Sequence, residues 1–132
     1  MNSLVKKVSE LTKNIEKLET MVFKDEVSWD SVDINSWAIG ETKMISGSTN
    51  TKILERDNIM IFETKLPPLC VFAKHFHKFF NENNFIITGV YQDADGIHGH
   101  GSWVTYLNGK VHKVCNPSPI EDLDLIVIFT RP

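Results

Sequence analysis

The spacing of apolar residues changes period near residue 25. Before it, Leu4, Val8, Leu11, Ile15, Leu18 and Val22 recur at steps alternating between four and three. That rhythm predicts an amphipathic helix over residues 3–24 with a heptad-like seam. Ser3 supplies a cap, and Lys6–Glu10, Glu10–Lys13 and Lys13–Glu16 are neighbours on its polar face. A seam of this length packs either on its own domain or against a second copy of the chain, and three heptads leave both readings open.

After Asp25 the texture becomes short apolar runs separated by turn formers. The runs are Lys52-Ile53-Leu54, Ile59 to Phe62, Phe85 to Tyr91, Trp103 to Tyr106, Lys110 to Val114 and Leu123 to Thr130. Between them stand Ser46 to Asn50, Asp57-Asn58, Pro67-Pro68, Asn81 to Asn84, Asp93 to Gly96, Asn108-Gly109 and Asn116 to Pro119. Many short strands with regular turn signals predict an all-β sandwich or barrel. Asn108-Gly109 reads as a hairpin turn, because both residues tolerate positive φ. The expected organisation is a helical unit over 1–25 and a β-barrel over 26–132.

Leu69 to Phe80 supports two readings. As a helix begun after Pro67-Pro68 and ended by the Asn81–Asn84 cluster, it carries a stripe of Phe72, Phe76, Phe79 and Phe80. As a strand, it places Val71, Ala73, His75 and His77 on one face and Phe72, Lys74, Phe76 and Lys78 on the other. Only the strand points both imidazoles the same way.

Composition narrows the classes. A chain of 132 residues is one domain's worth, and 42% hydrophobic content argues against wholesale disorder. A net charge of −3 without a basic stripe argues against a nucleic-acid partner. No apolar run approaches the roughly 18 residues a membrane helix needs. The charged start, Met1 to Lys7, does not read as a secretory signal, and two cysteines, Cys70 and Cys115, make no disulfide framework. A cytoplasmic protein with free thiols is the expectation.

The five histidines are the candidate chemistry. Four form two His-x-His pairs, His75/His77 and His98/His100; the fifth is His112. On a strand, His-x-His sets two imidazoles on one face, close enough to share a metal ion, and neutral imidazole suits zinc, iron, nickel and copper. Glu82 and His112 are candidates to complete the shell. His98 and His100 sit among Gly96, Gly99 and Gly101 and read as a solvated turn or as a rim pair that touches a ligand. Cys70 and Cys115 read as small buried hydrophobes or, alternatively, as thiolate ligands to zinc.

The spacing resembles the two cupin motifs. His75-x-His77, four residues, Glu82, six residues and Gly89 follow the first; Gly101, five residues, Leu107, Asn108, Gly109, two residues, His112, three residues and Asn116 follow the second. Leu69 stands where the first motif opens with Gly, and Leu107 where the second has Pro. Gly89-Val90, Asp93 to Gly96, Gly101-Ser102-Trp103 and Gly109 to His112 are similar to the ChrR-like cupins, a group that includes the zinc-binding half of an anti-sigma factor. The likeness covers roughly residues 50–130 and not the first 25.

The resemblance implies a cupin double-stranded β-helix, a jelly-roll barrel, behind an N-terminal α-helix. It implies His75, His77, Glu82 and His112 as ligands of a divalent metal, Fe(II) or Zn first, Mn or Ni next. Without Glu82 the site becomes a three-histidine one. Val71, Phe85, Ile87, Trp103, Tyr106, Val111 and Val114 are the expected apolar interior. The functional expectation is a non-haem Fe(II)-type dioxygenase or related metal enzyme acting on a small organic molecule, with no nucleic-acid or membrane partner and a homodimer through the helix. The alternative is a non-catalytic zinc sensor module.

Overall fold

The computed structural model describes residues 34–132 and, ahead of them, Lys7. The seam of residues 3–24, with the expected N-terminal helix and the 1–25 unit, lies outside the described residues. A 3₁₀ turn, Ile34–Ser36, precedes ten strands: β1 Thr42–Ile45, β2 Ser48–Arg56, β3 Ile59–Leu66, β4 Val71–His75, β5 Asn81–Thr88, β6 Tyr91–Asp93, β7 Gly96–His98, β8 Trp103–Tyr106, β9 His112–Cys115 and β10 Leu123–Thr130. They form a six-stranded sheet, β1-β2-β3-β10-β5-β8, and a four-stranded sheet, β4-β9-β6-β7. The strand pairs are antiparallel. No helix among the described residues is long and apolar enough to cross a membrane.

Alternation builds the core. Leu123, Leu125, Val127 and Phe129 of β10 are buried, while Asp124, Ile126, Ile128 and Thr130 are half-buried on the other face. β3 does the same with Met60, Phe62, Thr64 and Leu66. This is the period-two pattern of a sheet with one face on the core. Phe62 and Phe129 meet edge to face with centroids 5.6 Å apart.

β2 turns a polar set inward, Ser48, Asn50 and Lys52, all fully buried. Each finds partners, as buried polar groups must. Thr64 Oγ1 donates to Asn50 Oδ1 at 2.8 Å, and Asn50 Nδ2 donates to Ser48 Oγ at 3.0 Å. Lys52 Nζ donates to the carbonyls of Ile34 and Trp37, both at 3.1 Å, and pairs with Glu55. One buried ammonium thus ties the first described segment to the barrel.

The structure decides one open reading and corrects three expectations. Of the two readings of Leu69 to Phe80 it takes the strand over Val71–His75, followed by an irregular link to β5. Asn81 to Asn84 is not a turn but the first half of β5, with Glu82 and Asn84 inward. Asn108-Gly109 does not close a hairpin, because β8 pairs with β5 while β9 pairs with β4 and β6; the turn crosses between sheets. Finally, the expected interior was out of phase in part. Ile87, Trp103 and Val111 are exposed and Val71 and Phe85 half-buried, whereas Ile86 and Val104 point inside beside Tyr106 and Val114. Asp57-Asn58 and Ala94-Asp95 do close hairpins, β2–β3 and β6–β7.

Candidate metal centre

The site begins with an irregularity in β4. Phe72 stands opposite Val114, and His75 opposite His112. Three residues of β4 therefore span two of β9. The extra residue is a β-bulge, and it lets both Phe72 and His75 face inward despite their odd spacing. Regular alternation would have sent one of them outside. Two residues on, His77 is buried as well, beyond the end of the strand. The Gly109 N–H donates to the His77 carbonyl at 2.8 Å, so the turn ahead of β9 is bonded directly to the first histidine pair. Gly109 takes φ +82°, which its missing side chain permits.

Four side chains converge from β4, the link after it, β5 and β9. His75, His77, Glu82 and His112 are all buried, and one candidate ligand atom from each lies within 4.8 Å of all the others. Glu82 Oε1 is 3.0 Å from His77 Nε2, and Oε2 is 3.0 Å from His112 Nε2. The imidazole centroids of His75 and His112 are 4.2 Å apart. Asn84 Nδ2 donates to Glu82 Oε2 at 3.0 Å and steadies the carboxylate.

Two imidazoles are oriented by the backbone. His75 Nδ1 donates to the Ala73 carbonyl at 2.6 Å, and His112 Nδ1 donates to the Lys110 carbonyl at 3.0 Å. With Nδ1–H so used, the other nitrogen is the one available to a metal, the outer-shell arrangement that ligating histidines require. Burial, reinforced by His112, pushes the His75 pKa down to about 3. Burial alone would raise Glu82, but the imidazoles of His112 and His77 outweigh it and hold the carboxyl well below its usual range. Burial works to lower His112, and the Glu82 carboxylate reverses that, leaving it raised.

The donor set fits a divalent ion. With its Nδ1–H committed, His112 Nε2 at 3.0 Å from a carboxylate oxygen sets two acceptors face to face unless a cation, proton or metal, lies between them. Donors bound at about 2.0–2.2 Å stand at most about 4.4 Å apart, so a few tenths of an ångström of side-chain movement would close the shell. Three imidazoles and one carboxylate suit zinc and the redox-active first-row ions alike.

A small cavity of about 20 Å³, room for a water molecule, lies beside His75 and Glu82, walled by Leu66, Phe72, Val114, Leu125 and Val127 with Thr64 and Asn84. It is the space between the sheets that the inward residues leave unfilled.

The other sequence candidates fall outside this group. His100 is exposed. His98 bonds Asp93 Oδ1 at 3.1 Å. Cys70 and Cys115 are half-buried thiols, their sulfurs directed at Ser46 O and Gln92 Oε1. Spacing alone could not single out Tyr106, whose ring stacks on His112 at 3.8 Å and 7°. Asn84 was hidden in what reads as a turn cluster. Asn116, the last motif position, is fully buried and its amide donates to the carbonyls of Leu66, Pro67 and Glu121, pinning the loops at the far end of β9.

No family model and no curated protein matches the chain. Solved structures do. An RmlC-like cupin from Shewanella frigidimarina aligns at 15% identity and TM-score 0.60, covering 70% of this chain and 85% of that one. KdgF from Halomonas sp. aligns at 14% and 0.61, covering 70% and 86%. The polyketide cyclase RemF from Streptomyces resistomycificus aligns at 16% and 0.60, covering 70% and 75%. At such identities the likeness is one of fold.

Proposed function

From the premise that this chain is a small cupin by fold, we propose that it is a metal-dependent enzyme acting on a small organic molecule, most closely a non-haem Fe(II)-type dioxygenase. The observation that carries this reading is the buried three-histidine, one-carboxylate group, with a small apolar-walled space beside it. Structural ion sites are closed, whereas catalytic ones keep one coordination position open. The metal, when bound, would supply open coordination positions and either Lewis acidity or one-electron chemistry. His75, His77, Glu82 and His112 would hold it. Leu66, Phe72, Val114, Leu125 and Val127 would keep its surroundings apolar, and Asn84 would keep Glu82 in place. RemF, a cyclase of the same fold, supports small-molecule chemistry in such a barrel, while the fold by itself hosts many reactions.

The test is metal content after anaerobic purification, followed by oxygen uptake with diketones, flavonols and thiols. Stoichiometric iron with uptake on one class is the expected result. Tight zinc without uptake would instead establish the sensor module suggested by the ChrR-like resemblance. His77→Ala and His112→Ala should each abolish stoichiometric metal while leaving the far-UV circular dichroism unchanged, and Glu82→Gln should weaken binding less. Full metal content in both histidine variants would refute the assignment.

A further inference from the structure

We propose that Asp93 is a positioning residue for His112, acting through Tyr106. The inference rests on the metal-centre reading for its purpose, but the contact chain itself is independent of any ion. The His112 imidazole is restrained in two ways. Its Nδ1–H bond to the Lys110 carbonyl fixes rotation within the ring plane. The Tyr106 ring, nearly parallel at 3.8 Å, fixes the plane itself. A ring held only by packing can slide, so the second restraint is as firm as whatever holds Tyr106.

Its hydroxyl is held at both ends. Tyr106 O–H donates to Asp93 Oδ2 at 2.6 Å, a short bond to a carboxylate. The Tyr91 hydroxyl, fully buried, lies 2.7 Å from the Tyr106 hydroxyl oxygen and, with the Tyr106 proton committed to Asp93, is the donor to it. Asp93 is anchored in turn: its Oδ1 accepts from the Asp95 N–H at 3.0 Å and bonds His98 Nε2 at 3.1 Å. Tyr106 ends β8 of the large sheet, whereas Asp93 and His98 belong to the β6–β7 hairpin of the small one. The hairpin therefore reaches across the sandwich to set the plane of one imidazole. This gives His98 a place that its glycine-flanked setting in the sequence does not suggest.

The test uses the full chain, metal-free and loaded with Co(II). Tyr106→Phe keeps the stacked ring and cuts the tether; Asp93→Ala cuts it from the other side. Both should bind one Co(II) with affinity about tenfold or more weaker, the usual cost of losing an outer-shell partner, and with the same altered visible spectrum. The double variant should be no worse than either single one, since both break one path. Asp93→Asn can offer its carboxamide oxygen to Tyr106 only by turning Nδ2 onto the Asp95 N–H, so it should recover part of the wild-type spectrum, more than Asp93→Ala does. In the metal-free protein the His112 Nδ1–H proton signal, sharp in the wild type, should broaden in Tyr106→Phe. If the wild type takes up no Co(II), the metal reading fails and that proton signal alone decides the role of Asp93. Unchanged spectra and an unbroadened signal in Tyr106→Phe, or a merely lowered melting temperature, would overturn the proposal.

Discussion

At the scale of single residues, the cluster makes a prediction about pH that separates its members. Native His75 stays neutral down to about pH 3, whereas in the unfolded chain it takes up a proton near 6.5. As pH falls through 6.5 the unfolded state gains a proton that the native state refuses, so this group removes stability on acidification. Glu82, held below its usual value, acts in the same sense from about pH 4.5 downward. His112, raised by Glu82, acts in the opposite sense and favours the native state once protonated. Replacing His75 isolates its share. Metal-free His75→Gln should lose less melting temperature between pH 7 and pH 4.5 than the metal-free wild type. Parallel slopes would show that His75 is not the buried neutral imidazole described above.

At the scale of elements, two backbone positions explain how the motif tolerates its departures. Leu69, where the family pattern has glycine, adopts φ +60° and is exposed. The chain keeps the glycine conformation while carrying leucine, at a cost of about 1–2 kcal/mol for a left-handed residue. Glycine would relieve that strain and give back up to about 1 kcal/mol through unfolded-state entropy. Leu69→Gly should therefore raise stability in urea melts by up to about 1 kcal/mol; a loss would mean that the leucine side chain packs in a way its exposure hides. Gly89 is the contrary case. It takes φ +93°, and a Cβ there would stand 2.5 Å from the Asp122 carbonyl oxygen and 2.9 Å from Leu123 Cα. Gly89→Ala forces β5 and β10 apart where their register already shifts, and should cost about 2–4 kcal/mol. An unchanged urea midpoint would refute the close approach.

At the scale of the whole molecule, the centre lies between two sheets and joins them. Glu82 comes from the six-stranded sheet, His75 and His112 from the four-stranded one. An ion held by all of them would bind the native state and not the unfolded one. Adding a divalent metal at a thousandfold excess over its dissociation constant should stabilise the protein by about 4 kcal/mol, read as a rise in melting temperature that chelator reverses. A melting temperature indifferent to both metal and chelator would leave a barrel without a functional centre. His77 stands beyond the end of β4, so His77→Ala should abolish that rise without loosening either sheet.

The sequence by itself determined the strand-rich class, most of the turns, and four residues that meet in one place, because motif spacing and apolar alternation are local properties that survive reading in one dimension. It left the phase of the strands open. Asn81 to Asn84 reads as a turn by composition, yet β10 and β8 pair with it on either side and make it a strand; partners outweigh propensity in a sheet. The bulge in β4, which lets Phe72 and His75 share a face, has no signature in its own residues, since it is defined against β9. The chain from His98 through Asp93 to Tyr106 crosses from one sheet to the other, and only folding brings those side chains within hydrogen-bond reach.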